Sequence, residues 1–249
     1  MGFLTKDNNM LIEVCCNSLE SAINAERAGA DRIELCVALG VGGVTPSHGL
    51  IQLVKQEVSI PIHVLIRPRS GHFVYSETEF EVMLNDIRFC REMGVEGIVS
   101  GILNRDHTLD MERMKIMIGQ TGSLHFTFHR AFDWIADPET SLLQLEDMGV
   151  NTILTSGQQA TASQGITMLK RLKAKSTKTT IMPGGGIRIE NIVDFMKADF
   201  KVIHFSGTTF TNTVDIEHKI SMNSQKHLVE SQVAVTNEQT VRQLVRFVK

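Results

Sequence analysis

The feature that most constrains this chain is a regular alternation of short β-branched segments with amphipathic segments of helical length. Eight runs have the length and residue types typical of strands. The stretches between them have helical periodicity and open with capping residues. The predicted strands are Met10–Cys15, Asp31–Cys36, Pro61–Arg67, Val95–Ser100, Leu124–His129, Asn151–Thr155, Thr179–Met182 and Lys201–Ser206. The clearest predicted helices are Ser18–Ala28, Glu77–Met93, Pro138–Met148 and Ser163–Lys173, with caps at Asn17 or Ser18, Ser76, Asp137 and Ser163.

A glycine closes three of these segments directly before the next strand. Gly29, Gly94 and Gly149 each follow a small or apolar residue at the end of a helical pattern. Glycine in the left-handed conformation ends a helix and lets the chain turn straight into a strand. Eight repeated βα units predict an α/β fold, a single-domain (β/α)8 TIM barrel, because an open doubly wound sheet more often has about five to seven strands.

The totals agree with one domain. A chain of 249 residues has the usual length of such a barrel, and its 42% hydrophobic and 21% charged residues are ordinary for a globular protein. We expect residues 1–9 to form a flexible extension and residues 10–249 to form the barrel domain with an irregular C-terminal tail. Within that tail Thr208–Asn212 is turn-like, and Asn237–Val248 predicts a final helix.

Charge and cysteine content limit the partners. A net charge of -3 gives no electrostatic reason to expect nucleic acid or a membrane, so small molecules and ions remain. No apolar run has the length of a signal peptide or membrane helix, which predicts a cytoplasmic protein. Four cysteines are too few for a disulfide scaffold and are free for packing or metal binding. A homo-oligomer formed through outer helices or the tail stays open.

Alternation along the strands assigns side chains to the helices or to the barrel axis. Aliphatic residues take the helix-facing positions, which leaves a polar set for the lumen. Charges buried without partners cost several kcal/mol, so these charges are expected to be paired or functional. The inward set comprises Glu13, Cys15, Arg32, Glu34, Cys36, His63, Leu65, Arg67, His125, Thr127, His129, His204 and Ser206. Members at the strand C-termini predict a working site at that mouth of the barrel.

Several inward residues also have a purely structural interpretation. Glu13 can be a structural partner of Arg32 or Arg67 in a satisfied core network instead of acting in catalysis. His63, His125 and His204 lie near strand starts or middles and are expected to be core histidines. The cysteines can also be small buried hydrophobic residues, an interpretation that fits Cys16 and Cys90 best because they lie on the helix-facing side and on a helix.

Two glycine-containing loops follow predicted strands seven and eight. Gly185 and Gly186 lie in the first loop, and Ser206 and Gly207 open the second. Loops at these positions are the recurrent phosphate site of the barrel fold, because glycine lets backbone N–H groups converge on an oxygen-rich ligand. Arg69, in the loop after strand three, adds a guanidinium group suited to carboxylate or phosphate.

Six phrases resemble the CutC family of copper homeostasis proteins over about Met10 to Gly207. They are Glu13–Cys15, Ala30–Cys36, Gly43–Ser47, Ile66–Gly71, Phe128–Asp133 and Pro183–Ile187. The resemblance implies a cytosolic, copper-associated barrel in which cysteines bind Cu(I), and the matching positions are Cys15 and Cys36. Two inward thiolates in near-linear geometry suit this soft ion.

Two functions of different classes follow from these observations, and whether the protein is an enzyme stays open. The first is copper binding or trafficking through the two inward cysteines. The second is an isomerase- or lyase-like enzyme for a small anionic or phosphorylated metabolite, with indirect effects on copper. In this enzyme hypothesis Arg67 anchors the anion, and Glu13 or Glu34 is the general base or acid. His129 is the proton donor, and Asp133 holds it if the two are within hydrogen-bond reach. Divalent metal binding by Glu13, Glu34 and His129 is a third alternative.

Overall fold

The protein was analysed as a computed structural model that describes residues 10–217, 219–220 and 231–249. The predicted extension over residues 1–9 lies outside the described residues. Eight parallel strands alternate with helices, which confirms the single-domain (β/α)8 barrel. The strands are β1 Leu11–Cys16, β2 Arg32–Leu35, β3 Ile62–Leu65, β4 Gly97–Ser100, β5 His125–Phe128, β6 Thr152–Thr155, β7 Thr180–Pro183 and β8 Val202–Phe205. The helices are α1 Leu19–Arg27, α2 His48–Glu57, α3 Glu77–Glu92, α4 Met111–Thr121, α5 Pro138–Asp147, α6 Ile166–Lys175 and α7 Ile192–Lys197.

The sheet follows chain order around the barrel, and β1 lies between β2 and β8. A parallel bridge between Gly184 and His204 joins the end of β7 to β8 and closes the circle. The registers place Glu13 level with both Arg32 on β2 and His204 on β8. Three charged or titratable side chains therefore start from one level of the lumen.

Local signals explain most element boundaries. The Ser18 hydroxyl accepts a hydrogen bond from Ser21 N at 3.1 Å, Ser76 forms a capping box with Glu79, and Asp137 caps α5. The three predicted closing glycines, Gly29, Gly94 and Gly149, have φ angles of 89°, 70° and 82°. These left-handed glycines confirm the predicted turn into the following strand.

The predicted cap at Ser163 is wrong. Helix α6 begins only after Gly165, and the Ser163 hydroxyl instead accepts a hydrogen bond from Asn191 Nδ2 at 3.0 Å. A Cβ atom on Gly165 would lie 1.9 Å from the Ser156 carbonyl oxygen. Only glycine permits this close crossing of two backbone segments directly before the helix.

The tail differs from its prediction in one element. Thr208–Asn212 forms strand β9, which pairs antiparallel with β10, Gln232–Thr236. The turn-like interpretation was wrong because this strand is stabilised by a partner far along the chain. The final helix is confirmed as α8, Glu238–Val248, capped by Asn237. Among the described residues, no helix combines the length and apolar character that crossing a bilayer requires.

The main apolar core lies between the sheet and the helices. Helix-facing residues such as Ile12, Val14 and Ile33 are fully buried there, as the alternation predicts. Cys16 and Cys90 belong to this core, which agrees with their interpretation as packing residues. Inside the barrel, a smaller apolar cluster contains Cys15, Cys36, Leu65 and Val99, packed against Leu39.

Candidate functional site at the barrel mouth

A cavity of about 890 Å³ opens at the C-terminal ends of the strands. Most of the predicted site residues lie on its wall, whereas Glu13 and Arg69 do not. The predicted site residues on the wall are Cys15, Glu34, Cys36, Arg67, His129, Asp133, Gly185, Gly186, Ser206 and Gly207. The topology therefore brings loops from both halves of the barrel to one enclosed space.

Cys15 and Cys36 meet at this wall. Their sulfur atoms lie 3.5 Å apart, and both side chains are buried. The hydrogen bond to Cys36 and burial raise the pKa of the Cys15 thiol well above its ordinary value. Cys15 is therefore a neutral thiol until an electrophile or a cation displaces its proton.

Glu34, on β2, lies beside the cysteine pair. The Cys15 thiol lies 3.7 Å from Glu34 Oε1, whereas Glu34 Oε2 is buried and has no hydrogen-bond partner in the described structure. Burial and the nearby negative charge of Glu13 raise the pKa of Glu34. Ligand atoms of Cys15, Glu34 and His204 lie within 4.8 Å of one another, close enough to surround one cation.

Glu13 lies at the base of the site and is completely buried. It forms an ion pair with Arg32, lies 2.8 Å from His204 Nδ1 through Oε1, and lies 3.7 Å from His63 Nδ1 through Oε2. Burial alone would raise the pKa of Glu13, but Arg32 and His204 outweigh it and hold this pKa far below its usual range. Glu13 is an ionised carboxylate with a partner on each oxygen, Arg32 on Oε2 and His204 on Oε1.

His204 was expected to be a core histidine, and this is wrong in one respect, because its side chain also lines the cavity. Burial opposes protonation, but the carboxylates of Glu34 and Glu13 raise the pKa of His204. The alternation of β8 placed this ring in the lumen. Only the register between β1 and β8 places it against Glu13, and that register is not readable from the sequence.

His129 lies at the end of β5 with its ring 4.9 Å from that of Phe73. Its Nδ1 accepts a hydrogen bond from Ala131 N at 3.3 Å, and its buried Nε2 has no partner among the described residues. Burial and the positive charge of Arg67 lower the pKa of His129 to about 3. The ring is therefore neutral. Because Nδ1 accepts a hydrogen bond, the ring proton is assigned to Nε2.

No hydrogen bond joins Asp133 to His129 in the described structure, so the condition that the enzyme hypothesis set for this pair is not met. Its Oδ1 accepts hydrogen bonds from Thr155 Oγ1 at 2.5 Å and Ser156 N at 2.9 Å, and its Oδ2 accepts one from Arg130 Nε at 2.8 Å. The carboxylate is committed to the loop after β6. It orients the Arg130 guanidinium, a group whose role the sequence did not specify.

Arg67 uses its guanidinium mainly to hold loops together. Nη1 donates to the carbonyl oxygens of Val41 and Gly43 at 3.0 and 2.7 Å, and Nη2 donates to that of Gly71 at 2.8 Å. The guanidinium also lies 5.1 Å from the centre of the Phe73 ring. In the described structure only its buried Nε lacks a partner. Arg67 therefore closes one side of the cavity.

Arg69 is directed away from the cavity. It forms a hydrogen bond to Glu79 Oε1 at 2.5 Å and another to the Val74 carbonyl oxygen at 2.9 Å. The sequence predicted it at an anion site because its loop follows strand three and its guanidinium group suits carboxylate or phosphate. Gly71 and Phe73 of the same loop return to the cavity wall, so it is the Arg69 side chain that is directed elsewhere, toward Glu79.

The fold and this wall define a class: single-domain (β/α)8 barrels with a cysteine-bearing C-terminal mouth. The profile of the CutC family matches residues 10–209, and the chain belongs to this family. The family protein CutC of Salmonella typhimurium is 47% identical over 197 residues, which cover 79% of each chain. The relative from Salmonella typhi is 46% identical over 79% of this chain and 76% of its own.

Solved structures agree with the fold. The structure titled as the putative copper homeostasis protein CutC from Streptococcus agalactiae matches with a TM-score of 0.75 and 34% identity, over 78% of this chain and 97% of that one. Thiamine phosphate pyrophosphorylase from Pyrococcus furiosus has a TM-score of 0.59 at 12% identity, covering 97% and 96% of the two chains. The second likeness concerns the barrel alone.

Proposed function

We propose that this protein takes part in copper homeostasis by binding Cu(I) at the barrel mouth between Cys15 and Cys36. The observation that carries the proposal is the 3.5 Å separation of two inward sulfur atoms on adjacent strands. Soft thiolate ligands favour Cu(I) over hard cations. The Streptococcus agalactiae relative is named as a copper homeostasis protein, which supports copper as the metal.

The sulfur spacing also limits the coordination geometry. With metal–sulfur bonds of about 2.3 Å, a linear site separates its sulfur atoms by about 4.6 Å and a tetrahedral site by about 3.8 Å. The observed 3.5 Å is shorter than both values, so the two sulfur atoms must move further apart to form a linear site than to form a tetrahedral one. A bent pair needs further ligands, and the donors closest to Cys15 among the described residues are Glu34 and His204.

His204 supplies the remaining donor. Its Nδ1 faces Glu13 Oε1 at 2.8 Å, which leaves Nε2 as the nitrogen available to a cation. Metal-binding histidines commonly donate their second N–H to a carboxylate, which orients the ring and increases its basicity. Glu13 is therefore a positioning residue in this proposal. Ligand atoms of Cys15, Glu34 and His204 already lie within 4.8 Å of one another, and Cys36 joins them through its contact with Cys15.

The test is an anaerobic titration of the fully reduced protein with Cu(I) against a competing chelator. We expect one tightly bound ion in the wild type and loss of tight binding in the double variant Cys15→Ser, Cys36→Ser. The double variant Cys16→Ser, Cys90→Ser removes the same number of thiols from the helix-facing core and should retain the site. Unchanged binding in the first variant would exclude the proposed ligands.

A second candidate function is catalysis on a small anionic metabolite, because the cavity is far larger than one ion needs and His129 Nε2 is unpartnered there. With a pKa of about 3, His129 would act as a neutral hydrogen-bond donor to a substrate oxygen and not as a cationic acid. Proton NMR of a panel of phosphorylated sugars and 2-oxo acids tests for turnover. Activity should disappear in His129→Asn, and a panel without turnover would count against this candidate.

A further inference from the structure

In the loop after β7, two adjacent carbonyl oxygens accept hydrogen bonds while two N–H groups are free within the described structure. The Gly185 carbonyl oxygen accepts a hydrogen bond from Ala162 N at 2.9 Å, and that of Gly186 accepts one from Asn191 Nδ2 at 2.8 Å. Within the described chain, the N–H groups of Gly186 and Ile187 have no hydrogen-bond partner. This part of the cavity wall offers donors without competing acceptors.

The loop after β8 repeats the arrangement. The Ser206 carbonyl oxygen accepts a hydrogen bond from Thr236 Oγ1 at 3.4 Å, and that of Gly207 accepts one from Asn237 N at 2.9 Å. The N–H groups of Ser206 and Gly207 are without partners in the described structure. Because Gly184 is bridged to His204, the two loops leave the barrel side by side.

Arg130 completes the set with a positive charge. Its Nε and Nη2 donate to Asp133 Oδ2 at 2.8 Å and Ser156 Oγ at 2.9 Å, which fixes the guanidinium plane. Its Nη1 has no partner among the described residues, and a Cβ atom on Gly185 would lie 3.3 Å from it. Glycine at position 185 therefore keeps the approach to this nitrogen open.

We propose that these two loops and Arg130 bind the phosphate group of a small phosphorylated metabolite. Four N–H groups and one guanidinium edge suit the several oxygens of a phosphate better than the two of a carboxylate. The rest of the ligand occupies the cavity toward Cys15 and His129. The site does not depend on the copper proposal, and it supplies the substrate class for the second candidate function.

The experiment uses the metal-free, full-length, 15N-labelled protein and inorganic phosphate as the probe, with chloride at equal ionic strength as the reference. We expect saturable shifts of the Gly186 and Gly207 amide resonances, which report on both loops without any substitution. Arg130→Gln should raise the dissociation constant for phosphate about tenfold, since it removes a charge-assisted hydrogen bond. Arg105→Gln, the same charge change at an exposed residue outside the cavity, should leave it unchanged.

The double variant Cys15→Ser, Cys36→Ser separates the two proposals. It should lose Cu(I) and retain the phosphate-induced shifts, so a failure of copper binding does not affect the phosphate result. Absence of saturable phosphate binding to the wild type would overturn the inference, as would equal affinities of the Arg130→Gln and Arg105→Gln variants. If the Arg130 variant does not fold, shifts confined to amides outside the two loops would overturn it.

Discussion

Glu13 Oε1 and His204 Nδ1 lie 2.8 Å apart across the first and last strands of the barrel. The contact joins a completely buried carboxylate to the ring that reaches the cavity. Arg32 anchors the same carboxylate from the neighbouring strand β2. One acidic residue therefore links barrel closure to the orientation of a proposed copper ligand.

Glu13→Gln should lower the free energy of unfolding by about 3 kcal/mol or more, because it leaves Arg32 buried without its counter-charge. Under the copper proposal it should also weaken Cu(I) binding by about 10- to 100-fold through misorientation of His204. Urea denaturation and chelator competition measure the two effects. Glu81→Gln makes the same charge change at an exposed position, and equal stability of the two variants would contradict the proposed network.

Stability should fall as the pH drops from 6.5 toward 3. Burial is the largest cause that lowers the pKa of both His63 and His129 to about 3, whereas unfolded histidine titrates near 6.5. The unfolded state then binds more protons than the folded state below pH 6.5, so stabilisation present above that pH is lost on acidification. At pH 5 each of these rings should lower the free energy of unfolding by about 2 kcal/mol. The raised pKa of His204 partly offsets this loss.

Urea denaturation at pH 7 and pH 5 measures this loss. His129→Gln should make the difference in stability between the two pH values smaller, because one of the rings with a lowered pKa is gone. Equal pH dependence in wild type and variant would show that His129 does not carry the predicted part of the effect.

Cu(I) affinity should increase with pH around neutrality. Because the raised pKa of Cys15 keeps its thiol protonated, copper binding must release that proton. One released proton corresponds to about a tenfold gain in affinity per pH unit. Chelator competition at several pH values, corrected for protonation of the chelator, gives the slope. A slope that is the same in Cys15→Ser would count against this thiol as a ligand.

Arg67→Gln should loosen the loops around Val41, Gly43 and Gly71, since it removes charge-assisted hydrogen bonds to three carbonyl oxygens. We expect a loss of about 3 kcal/mol in the free energy of unfolding and faster proteolysis in these loops. Arg67→Lys should rescue little, because an ammonium group cannot reproduce the planar fork. Proteolysis rates matching those of Arg105→Gln would contradict the loop-holding role.

Two glycines should respond oppositely to alanine. A Cβ atom on Gly97 would lie 2.5 Å from His63 Cδ2 in the lumen, so Gly97→Ala should destabilise the barrel by about 1–3 kcal/mol. Gly119 lies exposed in α4 with no atom within 4 Å of a Cβ, so Gly119→Ala should stabilise by about 0.5–1 kcal/mol. Thermal melts of the pair measure both. Equal effects of the two substitutions would contradict the close packing at Gly97.

The amino-acid sequence by itself determined the eight βα units, the three closing glycines and the inward direction of Cys15 and Cys36. These features depend on local rules: a period of two along a strand, a helical repeat and the conformational freedom of glycine. For the same reason the sequence correctly placed most of the predicted residues at one mouth of the barrel.

Only the tertiary structure decided which lumen residues meet. The pairing of Glu13 with His204 depends on the stagger of strands separated by almost the whole chain, and β9 forms because a distant strand completes it. Likewise, the N–H groups that Arg67 directs at loop carbonyls are not available to a ligand. Side-chain alternation specifies whether a residue faces the lumen or the helices. Which residue it contacts there depends on strand register, barrel closure and competition for hydrogen bonds, and these are properties of the folded chain as a whole.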